Sequence, residues 1–243
     1  MSHILILGAK SDIAKAIASV YINNGYNLYL AARGSSELNE FSTNLCKDSK
    51  NTVKIIELDI LKYESHKKIY EDLDEKPEGV ICSVGYLGEQ KRSEMEFDHS
   101  TQIFDTNFTG IVSFLNIVAN DFEKRGFGFI VGISSVAGDR GKKSNYMYGS
   151  AKAALSIYLS GIRNRLYKKK IHVLTVKPGF VYTKMTNHLK LSKFLTSTPQ
   201  EIANEIYKAQ QNKKEIIYVK SIWYWIMILI KIIPERFFKK SNL

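Results

Sequence analysis

Two cysteines, Cys46 and Cys82, are all that 243 residues contain. That excludes a disulfide framework and a cysteine-rich zinc site, so no metal is expected, and free thiols suit a reducing compartment. Four prolines and fifteen glycines exclude a fibrous or low-complexity chain. The longest apolar run, Ile222 to Ile230, has nine residues, whereas a membrane-spanning helix needs about 20. No basic stretch precedes the first apolar run, Ile4 to Leu7, so no signal peptide is read and a cytoplasmic location is expected. Arginine is scarce too, with seven residues against 28 lysines in a chain of net charge +11. Nucleic-acid readers lean on Arg and interleaved aromatics, so no nucleic-acid partner is expected. The charge reads as a lysine-rich solvated surface, with an anionic substrate or membrane surface left open.

What is present is ordinary for a globular protein, at 44% hydrophobic and 24% charged. Short apolar runs occur at Ile4–Leu7, Asn27–Ala32, Val53–Leu58, Gly79–Val84, Gly128–Ile133, His172–Lys177 and Ile216–Val219. Most are continuous rather than alternating, as strands covered on both faces require. Helix-length segments lie between them at 11–23, 36–46, 63–73, 97–125, 146–169 and 199–211. The alternation predicts an α/β fold, a doubly wound parallel sheet of about seven strands. No linker or repeat appears before Val219, so residues 1–219 read as one domain and 220–243 as an appended helix and basic tail.

The first strand runs into Gly8-Ala9-Lys10-Ser11-Asp12-Ile13. A strand, a glycine turn and a helix N-terminus present free amides and a dipole to a phosphate. Position favours that reading over an ordinary turn, because this is the first βα turn of the sheet. Arg33 ends the second strand, where a cation suits the 2′-phosphate of NADP, and Lys10 adds a second charge. Asp59, followed by Ile60, ends the third strand, where a carboxylate can accept from an adenine amino group or cap a helix.

Tyr148 and Lys152 stand four residues apart, one turn along a helix face. A neighbouring ammonium favours the phenolate, so Lys152 is expected to lower the Tyr148 pKa and make it an acid/base. Ser135 lies thirteen residues upstream of Tyr148, after the fifth strand, and Pro178-Gly179-Phe180-Val181-Tyr182-Thr183 follows the sixth. Both are carboxyl ends of parallel strands, where such sheets place their sites. Asn107 falls inside a predicted helix, unfavourable for Asn unless its side chain has a task.

These ordered motifs resemble the short-chain dehydrogenase/reductase family in its single-domain branch, over Ile4 to about Val219. The resemblance implies a Rossmann-type fold and an NADP-dependent oxidoreductase interconverting a ketone and a secondary alcohol. Tyr148 would be the acid/base, and Lys152 would lower its pKa and hold the nicotinamide ribose. Ser135 would bond the reacting oxygen, and Asn107 would bind a water that relays protons. Val181 and Thr183, after Pro178 and Gly179, would fix the carboxamide. The resemblance further implies a homodimer or homotetramer. Asp12 and Ala14 replace two family glycines, and of the family's Asn-Asn-Ala-Gly stretch only Gly85 remains. The combination is also similar to bacterial reductases of keto sugars carried on polyprenyl phosphate, which implies a lipid-linked or otherwise anionic substrate. A non-catalytic dinucleotide-binding scaffold is the alternative.

Two features lie outside that pattern. Gly149, Ala153, Ser156 and Ser160 form a small-residue stripe that suits close approach of a second subunit's helix or packing on the chain's own sheet. The tail, Ser221 to Lys240, carries a wide apolar face with Trp223 and Trp225, and residues 213–243 hold seven cations against two acids. It suits a membrane interface, a dimer contact or a cover over the site mouth. Arg140, Lys142 and Lys143, between Ser135 and Tyr148, are placed either to meet a substrate phosphate or to stand as plain solvated charge.

Overall fold

The computed structural model describes residues 2–47, 49–183 and 192–241. Seven parallel strands form one sheet: β1 (His3–Leu7), β2 (Asn27–Ala32), β3 (Val53–Glu57), β4 (Gly79–Cys82), β5 (Phe129–Ile133), β6 (His172–Pro178) and β7 (Ile216–Val219). Their order is β3-β2-β1-β4-β5-β6-β7, the doubly wound topology expected. The four central strands β1, β2, β4 and β5 are almost wholly buried, whereas the edge strand β3 exposes Lys54 and Glu57. Continuous apolar runs therefore mark coverage on both faces. Along β1, Ile4 and Ile6 enter one core layer and Leu5 and Leu7 the other, following the two-residue strand period.

Helices α1 (Asp12–Asn23) and α2 (Asn39–Cys46) follow β1 and β2. Next come α3 (Tyr63–Glu71), α4 (Phe97–Phe104), α5 (Gly110–Arg125), α6 (Tyr146–Leu166) and α7 (Pro199–Gln211). α7 starts on a capping box between Thr198 and Glu201, with Pro199 behind the cap. The helix predicted over 97–125 is interrupted by a π turn, Asp105–Thr109. Asn107 explains it: its Nδ2 donates to the Ile103 carbonyl at 2.8 Å, competing for an acceptor of the regular ladder. A two-residue parallel ladder, Phe180–Val181 with Thr196–Ser197, was not expected.

The tail forms α8 (Ile222–Ile232) and a short helix, Glu235–Phe238. Trp223, Met227, Ile230 and Phe238 pack with Val136, just beyond Ser135. Arg140, read from the sequence as a candidate for a substrate phosphate, turns to the tail instead. Its guanidinium donates to the Ile230 and Ile233 carbonyls and to Glu235, and lies over the Phe238 ring. A cation at a helix C-terminus satisfies orphan carbonyls and the dipole together. The small-residue stripe also turns inward. A Cβ on Gly149 would approach the Ala137 carbonyl at 2.7 Å, and one on Gly138 the Ala153 amide at 2.7 Å. Gly149 and Ala153 thus make room for the chain's own loop after β5, and only Ser160 of the stripe is exposed.

Removing Arg140 should therefore loosen the tail before the core. Arg140→Ala deletes several charge-assisted bonds, each worth roughly 1.5–3 kcal/mol. Limited trypsin digestion read by mass spectrometry should show cleavage at Lys231 and Arg236 accelerated at least tenfold. Unchanged tail cleavage would show that Arg140 does not hold it.

Candidate active site

The sheet order reverses between β1 and β4, and a cleft of about 380 Å³ opens there at the carboxyl ends of the strands. One end is the turn Gly8–Ile13. Gly8 has φ +76°, and a Cβ there would press on the backbone of Ser83 and Val84 at 2.9 Å. Glycine is thus required twice, for its conformation and for the close passage of the strand-four loop. Ser11, not Asp12, caps α1, with its Oγ accepting from Ala14 N at 3.1 Å and lying 3.0 Å from Ser83 Oγ. Asp12 opens the helix and, with Lys10, Ser11 and Ile13, lines the cleft.

The turns after β2 and β3 lie beyond this lining. Arg33 is exposed and 3.9 Å from the Asp59 carboxylate, whose other oxygen accepts from Leu61 N at 3.1 Å, so Asp59 caps no helix. Ile60 is buried. Two acids that sequence reasoning passed over stand here. Glu37 pairs with Lys10. Glu57 accepts from the Gly34 and Ser35 amides at 2.9 and 2.7 Å, bonds that hold its carboxyl below the usual range.

At the other end the cleft brings Ser135, Tyr148 and Lys152 together with Gly85, Pro178, Gly179, Val181 and Thr183. Ser135 Oγ accepts from Ala137 N at 3.1 Å, which aims the hydroxyl from an extended backbone. Burial pushes the Tyr148 phenol up to about 12, while the Ser135 hydroxyl beside it pulls the other way. The expected lowering by Lys152 is not found. Its ammonium sits 5.7 Å from the centre of the Tyr148 ring and donates instead to the Ile133 and Val84 carbonyls, at 3.1 and 3.3 Å. Burial drives Lys152 itself down to about 8.

Asn107 is fully buried beside them. Its Nδ2 donates to the carbonyls of Ile103 and Tyr86, and its Oδ1 accepts from Tyr86 N at 3.1 Å. It thus braces the loop carrying Gly85 through both backbone groups of Tyr86.

Lys142, Asn145 and Trp223 complete the mouth. Lys142 is half-buried, its pKa lowered by desolvation, and no carboxylate pairs with it among the described residues. Trp223 lies so close to Gly179 that any Cβ there would overlap the indole, whose Nε1 donates to the Leu195 carbonyl at 3.0 Å. Only its place in an apolar tail distinguished Trp223 in the sequence. A more open groove of 620 Å³ runs along β7 and α7, but Ser135, Tyr148 and Lys152 do not line it.

These residues fit a nicotinamide dinucleotide. The glycine turn and the α1 amides suit a pyrophosphate, and Lys152 and Tyr148 stand at the far end of the same cleft. The buried ammonium also carries a stability signature. Lowering Lys152 from its ordinary 10.5 to about 8 penalises folding at pH 7 by about 3 kcal/mol. The penalty fades as pH rises through 8 to 10.5, because there the unfolded chain binds the extra proton. Lys152→Met removes the buried charge together with two charge-assisted bonds to carbonyls, each roughly 1.5–3 kcal/mol, so the two effects offset at pH 7. Urea unfolding should show wild type gaining stability on the variant, by up to about 3 kcal/mol, as pH rises from 7 through 10.5. Parallel stability–pH curves would refute a buried charge.

Comparison with known proteins agrees with this geometry. The chain is 29% identical over 235 residues to an uncharacterized oxidoreductase of Mycobacterium tuberculosis, covering 96% of this chain and 94% of that one. It is also 29% identical over 244 residues to an uncharacterized oxidoreductase of Streptomyces coelicolor, with 98% and 94% coverage. A solved short-chain dehydrogenase from Sphingobium yanoikuyae in complex with NADPH superposes with a TM-score of 0.83 at 20% identity, over 97% of both chains. A 3-oxoacyl-[acyl-carrier protein] reductase with bound NAD from Brucella melitensis gives 0.81 at 19% identity, over 90% of both. The sequence model of the short chain dehydrogenase family matches residues 2–193, and the chain belongs to that family of oxidoreductases.

Proposed function

We propose that the protein is an NADP(H)-dependent oxidoreductase interconverting a ketone and a secondary alcohol. The observation that carries the reading is the convergence of Ser135, Tyr148 and Lys152 in one cleft whose other end is the Gly8–Ile13 turn. A bound nicotinamide supplies or accepts the hydride. In reduction, Tyr148 hands its phenolic proton to the carbonyl oxygen, and Ser135 donates a hydrogen bond to that oxygen. A phenol held near 12 stays protonated at neutral pH and is ready to act as the acid. Lys152, its ammonium anchored by the Ile133 and Val84 carbonyls at the same end of the cleft, would hold the nicotinamide ribose.

Asn107 is a positioning residue. Both its Nδ2 protons go to protein carbonyls, so the water of a proton relay would attach at an acceptor oxygen. Gly8, Lys10, Ser11, Asp12 and Ile13 would hold the pyrophosphate, and Asp59 and Ile60 would flank the adenine. Gly85, Pro178, Gly179, Val181 and Thr183 would shape the nicotinamide pocket. Lys142 at the mouth, with no carboxylate partner among the described residues, supports an anionic carbonyl substrate, such as a lipid-linked keto sugar. Exposed Ile157 and Tyr167, on and just after α6, support assembly as a homodimer or homotetramer. Asp12 in the phosphate turn is the feature favouring the second reading, a dinucleotide-binding scaffold without turnover. Titrating NADPH fluorescence and then following NADPH consumption over a panel of ketones separates the two.

Two variants test the proposal further. Tyr148→Phe should lower turnover by about 10²–10⁴-fold, the usual worth of a positioned proton donor, while the NADPH dissociation constant stays within twofold. Near-normal turnover would remove Tyr148 from the reaction. Preference for NADPH over NADH should rest on Arg33 and Lys10, each phosphate contact being worth roughly 10- to 150-fold. Arg33→Ala should narrow it, and Glu37→Gln, by releasing Lys10, should widen it. Equal wild-type affinity for the two cofactors would refute the NADP assignment.

A further inference from the structure

α8 is apolar on two opposite faces. Trp223, Met227 and Ile230 fill the inner one. Trp225, Ile228, Leu229 and Ile232 recur at i, i+3, i+4 and i+7 on the other, where Trp225 is 64% exposed, Leu229 62% and Ile232 68%. A surface helix ordinarily presents charge on that side. Phe194 extends the patch near the helix start, where Lys220 Nζ donates to its carbonyl, and Phe237 lies beyond the helix end; both are exposed. A contiguous apolar surface of this kind needs a cover.

The charges around it indicate which cover. Lys193, Lys231, Arg236, Lys239 and Lys240 are exposed on the same segments. Of the nearby acids, Glu235 is engaged by Arg140. Glu201 closes its own helix cap, and with Glu205 it borders the groove beside Tyr224 and Trp225. A second copy seated here about a two-fold axis would bring this cationic margin against itself, and like charges across an interface are costly. Spanning is excluded as well. The helix has 11 residues, so it is about 16 Å long against a hydrocarbon core of about 30 Å. No helix among the described residues is long and apolar enough to cross a membrane. A surface of anionic lipid meets both demands, accepting the apolar face and pairing with the cations.

We infer that the outer face of α8, with Phe194 and Phe237, seats the protein on an anionic bilayer surface. The seat is coupled to the cleft, because Trp223 on the opposite face of the same helix forms the cleft wall. The inference does not depend on the cofactor or on the reaction proposed above.

Flotation of the full-length protein on a density gradient tests it. With vesicles containing phosphatidylglycerol, at least ten times more protein should float than with phosphatidylcholine alone, and added salt should weaken the effect. Tryptophan emission should shift to the blue on binding, since Trp225 is the exposed one of the two. The double variant Trp225→Ser/Leu229→Ser should stay at the bottom, with wild-type circular dichroism and an unchanged urea-unfolding midpoint. Failure of the wild type to float with anionic vesicles would overturn the inference, as would equal flotation of the double variant. So would a lower oligomeric state of that variant in light scattering, which would assign the face to a second copy.

Discussion

The ammonium of Lys152, buried with no carboxylate partner among the described residues, constrains the whole cleft. Its hydrogen bonds run to the Ile133 and Val84 carbonyls, at the ends of the two strands that flank the site. A buried cation is tolerable only where acceptors are fixed around it. The fixing is visible in each neighbour. Asn107 gives up regular helix geometry to hold the loop after β4, and Ser134 Oγ ties the Lys152 carbonyl to the end of β5 at 2.8 Å. The acceptors around the ammonium are thus held from several elements at once, and one of them is a π turn, a frequent mark of functional sites.

A second network links chemistry to the tail. Asp139, three residues after Val136, accepts from Lys177 and from the Tyr218 hydroxyl. That buried group joins the loop after β5 to the adjoining strands β6 and β7. Next to it, Arg140 grips the end of α8. The segment between Ser135 and Tyr148 thus acts as a clasp, with Ser135 on one side and the tail helix on the other. Trp223 closes the same unit over Gly179, so the tail is part of the cleft and not an appendage to it.

Electrostatics at the turns after β2 and β3 are balanced more finely than the sequence suggested. Arg33 and Lys10 are present, yet each faces an acid, Asp59 and Glu37. Glu57 takes two amides of the turn after β2. A phosphate entering there must compete with carboxylates already in place, and the outcome rests on how readily exposed pairs exchange partners.

Chain-local periodicity by itself determined the sheet, the helix positions to within a few residues and the order of the reactive motifs. Buried strands are continuous apolar runs and helices repeat every 3.6 residues, so both are written in neighbouring positions. The one-turn spacing of Tyr148 and Lys152 was legible for the same reason. Tertiary structure alone decided which way side chains spend their bonds. Arg140 is one of three cations in its loop, and nothing local reveals that its partners lie 90 residues onward. The two tryptophans of α8 are two residues apart, yet one walls the cleft and the other faces out, because only packing on Val136 chooses the inner face. The direction of the Tyr148 pKa likewise followed from burial, a property of the assembled fold that spacing along the chain does not carry.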